Sequence, residues 1–139
     1  MNNSKPSVLF ICVHNAGKSQ TAEAFMNHIA GDQVDVYSGG TGPDEDLAAD
    51  AVAALAEIGV GVDGQFPKAI DPDILRSADR VVILGDQAKV EPIPGMKSAI
   101  ETWLTVEPAD QGIHGAERAA MVRDDIRQRV EQLAKELLG

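Results

Sequence analysis

The chain has 139 residues, enough for one domain with its own core. Hydrophobic residues are 44% of it and aromatics only 4%, so aliphatic side chains must fill that core. A formal net charge of −10 argues against nucleic acid or an anionic membrane as partner, and no stretch approaches the ~18–20 apolar residues of a membrane span.

The lone cysteine, Cys12, excludes an intrachain disulfide and fits a reducing, cytoplasmic setting. In residues 1–13, Lys5 precedes a short apolar run with no cleavage signal, so no signal peptide is expected. No repeat or low-complexity tract interrupts the chain, and residues 1–139 read as a single domain.

Residues 7–12 read as a first strand. From Ser19 to about Ala30, Ala22, Phe25, Met26 and Ile29 recur at helical spacing, and Gly31 suits the C-cap. Val34 to Ser38 alternates as a second strand, and Gly39 to Pro43 reads as a flexible loop. Asp44 is expected to cap a helix to about Ile58, with Leu47, Ala51, Leu55 and Ile58 facing inward. A loop with short extended pieces follows to Ile70. Asp71-Pro72 then starts a brief helix through Leu75.

Arg80 to Leu84 is a continuous apolar strand, as expected of one covered on both faces. Gly85, Pro92, Pro94 and Gly95 make residues 85–98 a loop with room for one helical turn. Ala99 to Trp103 reads as a short fourth strand and Leu104 to Gly115 as loop. Residues 116–138 form a last helix, with Val122, Ile126, Val130, Leu133 and Leu137 inward. This alternation predicts an α/β, doubly wound parallel sheet with helices on both faces, whose ligand sits beyond the carboxyl ends of the strands.

The informative stretch lies at that edge. Cys12-Val13-His14-Asn15-Ala16-Gly17-Lys18-Ser19 passes from strand end to helix start. About six backbone N–H groups of such a loop can converge on one point, and the helix adds its positive dipole end. That suits a tetrahedral oxyanion, and the same field favours a thiolate over a thiol at Cys12. Lys18 sits where a cation is unfavourable without an anion to meet it. Ser19 can donate to the sulfur or cap the helix, and Asn15 tolerates a left-handed backbone that would brace the turn. His14 can contact a ligand or stay exposed. No His, Cys and Asp spacing suggests a metal site.

The run Cys12 to Gln20 resembles the active loop of low-molecular-weight protein tyrosine phosphatases and of the arsenate reductases that share their fold. Cys12, Asn15 and Ser19 match its pattern, whereas Lys18 stands where the family usually has arginine, exchanging a two-pronged fork for a point charge. Val36 to Gly40, Val81 to Leu84, Trp103 to Pro108 and Val122 to Asp124 extend the resemblance over nearly the whole chain. It implies strand order 2-1-3-4 for a four-stranded sheet. It also implies an acid after Trp103 that protonates the leaving group: Glu107, followed by Pro108, matches that place, with Asp110 as competitor. A carboxyl group beside an oxyanion is expected to have a raised pKa.

Thioredoxin-linked members carry two further cysteines beside the loop after strand three. This chain has Leu84 and Val90 there, so a second thiol must come from outside. The resemblance of the Gly17 to Gln20 and Pro67 to Asp71 segments to actinobacterial mycothiol-dependent members implies arsenate–mycothiol transfer. Mycothiol or glutathione would be co-substrate and a mycoredoxin or glutaredoxin-like protein the partner, with no bound cofactor. Some relatives also hold potassium through Asn, Glu, Ser and Asp. Asn15, Glu23 and Ser38 match three of these and Lys68 replaces the fourth, which implies that the Lys68 ammonium takes the cation's place and pairs with Glu23.

Three other readings stand beside arsenate reduction. A phosphotyrosine phosphatase would use the same loop, although one Tyr, one Trp and three Phe furnish an aromatic slot poorly. A nucleotide-binding module would read Gly17-Lys18-Ser19 as the end of a phosphate loop whose first glycine is replaced by Cys12. A non-catalytic relative would bind oxyanions without turnover.

Overall fold

A computed structural model describes residues 5–139. Residues 1–4, where the reading of a missing signal peptide begins, lie outside the described residues.

Four strands form one sheet in the order β2-β1-β3-β4: β1 (Ser7–Cys12), β2 (Asp35–Gly40), β3 (Arg80–Leu84) and β4 (Ile100–Trp103). All pairings are parallel, with Ile11 opposite both Gly39 and Ile83, and Leu84 opposite Trp103. Parallel neighbours require crossovers, supplied by α1 (Lys18–Ala30), α2 (Ala49–Ala56), α3 (Pro72–Ser77) and the loops around them. The chain ends in α4 (Gly115–Leu138). No helix of the described residues is long and apolar enough to cross a membrane.

Side chains alternate across the sheet and create two unequal cores. Val8, Phe10, Val82 and Leu84 pack against α1, Leu55 of α2, and Ile126, Val130 and Leu133 of α4. Leu9, Ile11, Val81 and Ile83 pack with Leu75 of short α3, Ala78 and Ala88, flanked by the half-buried Ile70, Ile74, Val90 and Ile93. Helices therefore cover both faces, three on one and α3 on the other. Burial of both faces explains the uninterrupted apolar runs of β1 and β3. Arg123 ties α4 to the end of α2, donating to the Ala54 carbonyl at 2.8 Å and to Glu57 at 3.0 Å.

Several boundaries differ from the sequence reading. Gly39 and Gly40 are the end of β2 rather than loop, paired with Ile11 and Cys12. Asp44 does not cap α2. The helix begins only at Ala49, after Thr41, Gly42, Asp44 and Ala48 have donated their amides to the Cys12 loop. Ile29 faces solvent at the outer edge of α1, 39% exposed, while Ala22, Phe25 and Met26 are buried as expected. Residues 85–98 contain no helical turn. Asp71 does cap α3, accepting from the Asp73 amide at 2.8 Å.

Candidate active site

Residues 13–17 turn the chain from β1 into α1, and the turn is held from outside. The carbonyls of Cys12, Val13, His14 and Ala16 accept the amides of Thr41, Gly42, Asp44 and Ala48 at distances between 2.8 and 3.3 Å. The Asn15 carbonyl accepts Gln20 Nε2 at 2.9 Å, and that of Gly17 accepts the Thr21 amide at 2.8 Å. The carbonyls are thus engaged by the surrounding chain. Among the described residues no acceptor takes the amides of Val13 to Gly17. The Lys18 and Ser19 amides follow in the first turn of α1, which leaves its N–H groups unpaired. A run of donors without acceptors at a helix N-terminus has the geometry of a cradle suited to an anion, here residues 13–19.

Asn15 is the brace. Its φ of 49° lies in the left-handed region that an asparagine accepts more readily than most side chains, and it is wholly buried. Its Oδ1 accepts from the Lys68 amide at 2.9 Å and from Gln20 Nε2 at 3.0 Å. Its Nδ2 donates to Ser19 Oγ at 2.7 Å. With that lone pair occupied, the Ser19 hydroxyl hydrogen is free to point at Cys12 Sγ, 2.9 Å away. Gly17 caps α1 without any side-chain bond, so Ser19 serves the sulfur rather than the helix end.

Two glycines let other groups approach the loop. A Cβ on Gly40 would lie 2.5 Å from the Val13 carbonyl oxygen and 3.0 Å from the Asn15 amide, so β2 can touch the loop only without a side chain. Gly85, at φ +88°, follows β3, and a Cβ there would lie 3.3 Å from Lys18 Nζ. The Lys18 ammonium therefore rests against the backbone just beyond β3, on the cradle side of the sheet edge.

Glu107 departs from expectation in its ionisation. It lies within electrostatic reach of Lys18, but Arg118 forks onto both its oxygens, Nε to Oε1 at 2.7 Å and Nη2 to Oε2 at 2.9 Å. Oε1 also accepts the Ala109 amide. Chiefly through the Arg118 hydrogen bonds, the carboxyl is lowered to about 2 instead of raised, so Glu107 is a carboxylate near neutrality. Arg118 is the partner of Glu107 that sequence reading missed; only its spacing behind Glu107-Pro108 could have pointed to it. Asp110 is exposed on the 3-10 turn Pro108–Gln111. His14 is exposed too, its Nδ1 3.3 Å from both the Gly42 carbonyl and Asp44, and belongs to the outer loop.

A second cluster lies behind the brace. Lys68 Nζ donates to Ser38 Oγ at 3.2 Å, to the Phe66 carbonyl at 2.9 Å and, more distantly, to Asn15 Oδ1 at 3.5 Å. Ser38 in turn donates to Glu23. Lys68 thus reaches Glu23 through a hydroxyl, not by the direct ion pair the sequence suggested. Burial pushes the Lys68 ammonium down from its usual range, partly offset by the field of Glu23.

Comparison with known proteins follows the same outline. Residues 7–138 match the family model described as low molecular weight phosphotyrosine protein phosphatase. An arsenate reductase of Bacillus licheniformis is 35% identical over 136 residues, spanning 95% of this chain and 97% of its own. A thioredoxin-dependent arsenate reductase of Corynebacterium glutamicum superposes with a TM-score of 0.81 at 31% identity. That match spans 99% of this chain but 64% of the longer solved one. A solved arsenate reductase in its phosphate-binding state gives 0.81 at 26% identity over 95% of this chain and 98% of that one. The chain belongs to the low-molecular-weight phosphotyrosine protein phosphatase family.

Proposed function

We propose that this chain reduces arsenate, with Cys12 as nucleophile and an external low-molecular-weight thiol completing the chemistry. The observation that carries the reading is Cys12 Sγ, with the Ser19 hydroxyl 2.9 Å away, at the lip of a loop whose amides meet no acceptor among the described residues. The names of the relatives support arsenate as the oxyanion.

Arsenate settles on the amides of Val13 to Ser19 with Lys18 as counter-charge. The Cys12 thiolate attacks arsenic, an S–As bond forms, and one oxygen leaves as water. A thiol RSH then attacks the Cys12 sulfur. The electron pair of the S–As bond stays on arsenic, arsenite leaves, and a Cys12–S–S–R mixed disulfide remains. The sequence has no second cysteine to resolve it, so reduction falls to another thiol and a glutaredoxin-like partner. Mycothiol with a mycoredoxin fits the resemblance of the Gly17 to Gln20 and Pro67 to Asp71 segments; glutathione is the alternative thiol. The thioredoxin dependence of the Corynebacterium glutamicum neighbour belongs to that protein, since Leu84 and Val90 stand here where the resemblance places resolving cysteines.

Phosphatase action is served less well. A single Lys18 ammonium does not fork onto two phosphoryl oxygens, and one Tyr, one Trp and three Phe furnish an aromatic slot poorly. The test is arsenite formation with mycothiol, glutathione or thioredoxin as reductant, beside hydrolysis of p-nitrophenyl phosphate. Arsenite is expected with a small thiol and is expected to vanish in Cys12→Ser. Retained turnover in that variant, or none with any reductant, rejects the reading.

A further inference from the structure

Two features of the site look like defects. Its loop has a lysine where a fork would hold an oxyanion best, and its acid is locked as a carboxylate. One residue stands behind both. Arg118 lies in the first turn of α4, where the helix dipole disfavours a cation. It is kept there by Glu107, with the field of Asp50 of α2 adding to the hold. Its side chain is one-third exposed, so solvent reaches the pair. Lys18 of α1 and the Ala109 amide are the other groups that act on Glu107.

We propose that Arg118 is a second oxyanion ligand that exchanges partners when substrate arrives. In the free protein its Nε and Nη2 edge holds the two oxygens of Glu107. That same edge fits two oxygens of a tetrahedral dianion, which also offers twice the charge. Once Arg118 turns to the dianion, Glu107 loses its main stabilising partner and faces new negative charge, both of which favour protonation from solvent. Substrate thereby arms its own acid. Building on the arsenate reading, the step balances: Cys12–S⁻, HO–AsO₃²⁻ and Glu107–COOH give Cys12–S–AsO₃²⁻, water and Glu107–COO⁻. The S–As bond forms as the As–OH bond breaks, and arsenic is not yet reduced.

The inference can be tested by binding alone, so it stands or falls separately from reductase activity. Inorganic phosphate is titrated calorimetrically into the full chain and into Arg118→Gln, Arg118→Lys, Glu107→Gln and the Glu107→Gln/Arg118→Gln double variant, with thermal unfolding followed in parallel. Loss of one charged fork predicts phosphate affinity about tenfold to a hundredfold weaker in Arg118→Gln, and less affected in Arg118→Lys. Glu107→Gln, which removes the competitor, should bind more tightly, and that gain should vanish when Arg118 is also replaced. Unchanged phosphate affinity in a folded Arg118→Gln overturns the proposal. So does a gain from Glu107→Gln that persists in the double variant, because simple removal of a nearby negative charge would produce it without Arg118.

Discussion

Lys68 Nζ lies 3.2 Å from Ser38 Oγ, and through that hydroxyl a half-buried cation is joined to Glu23. The Lys68 amide and ammonium both reach the Asn15 side chain, so one residue supports the brace of the Cys12 loop from two directions. The role proposed for this tethered ammonium is that of a bound monovalent ion, without an equilibrium for loss of the ion.

Turnover should therefore be indifferent to replacing potassium by sodium at constant ionic strength. Lys68→Ala removes the fixed charge and leaves Glu23 and Ser38 facing an unfilled space. This variant should lose about 1–3 kcal/mol of stability and acquire a response to potassium. Strong potassium activation of the unaltered protein, read as initial rate, would show that Lys68 does not take that role.

Gly40 offers a sharper test of the loop's shape. Its Cβ would collide with the Val13 carbonyl at 2.5 Å, whereas a Cβ on Gly42, two residues away, would meet nothing within 4 Å. Gly40→Ala should push the loop carbonyl away, spoil the convergence of the amides and weaken phosphate binding at least tenfold. Gly42→Ala should bind as the unaltered chain does. Equal behaviour of the two, measured as phosphate Kd, would mean that the close approach of β2 does not shape the cradle.

Much of this was legible beforehand, for identifiable reasons. The 2-1-3-4 sheet was expected from the family resemblance, and the runs 7–12 and 80–84 are what strands covered on both faces require. The Cys12 loop was legible because the feature is local: strand end, short turn and helix start lie within eight residues. What failed was non-local. Gly39 and Gly40 read as flexible loop because the chain they abut, Val13 to Asn15 and Ile70, lies far away in sequence. Asp44 read as a helix cap because nothing nearby shows that its amide is spent on His14. The ionisation of Glu107 was inverted because its partner, Arg118, is eleven residues on and belongs to another element. A carboxylate's ionisation follows from what faces it, and sequence alone does not show that.

Lys18→Arg tests the account of the clamp. Lys18 offers a single ammonium, which lies beside Gly85, where a Cβ would be 3.3 Å away. A guanidinium in its place could fork onto two oxygens of a phosphoryl group and steady its transition state. Any p-nitrophenyl phosphate hydrolysis should rise, by about tenfold if one charged hydrogen bond is added. A rate that stays level or falls in a folded Lys18→Arg chain would mean that the lysine is not what limits phosphatase chemistry.

The Glu107–Arg118 pair also predicts how the free protein responds to acid. The Glu107 carboxyl is lowered from an ordinary value of 4.5 to about 2 by Arg118, so its folded form holds the proton less tightly than its unfolded form. Such a group stabilises the fold fully above the unfolded value, and its contribution is lost as pH falls toward the folded one. Asp79 acts in the same direction. Its carboxylate is held below the usual range mainly by its hydrogen bond with Lys97, at 2.6 Å, and accepts the Ser7 amide at 2.8 Å. Resistance to urea should thus be nearly flat from pH 7 to about pH 5 on account of these groups, then decline toward pH 2. Glu107→Gln should remove part of that decline, and so should Arg118→Gln, since a carboxyl without its fork titrates near the unfolded value. Because one-third of each partner is in contact with water, the effect is a partial flattening of the curve, not its loss. An acid limb of the same depth and midpoint in all three proteins would show that the pair does not hold Glu107 ionised, and the case for Arg118 as its keeper would fall with it.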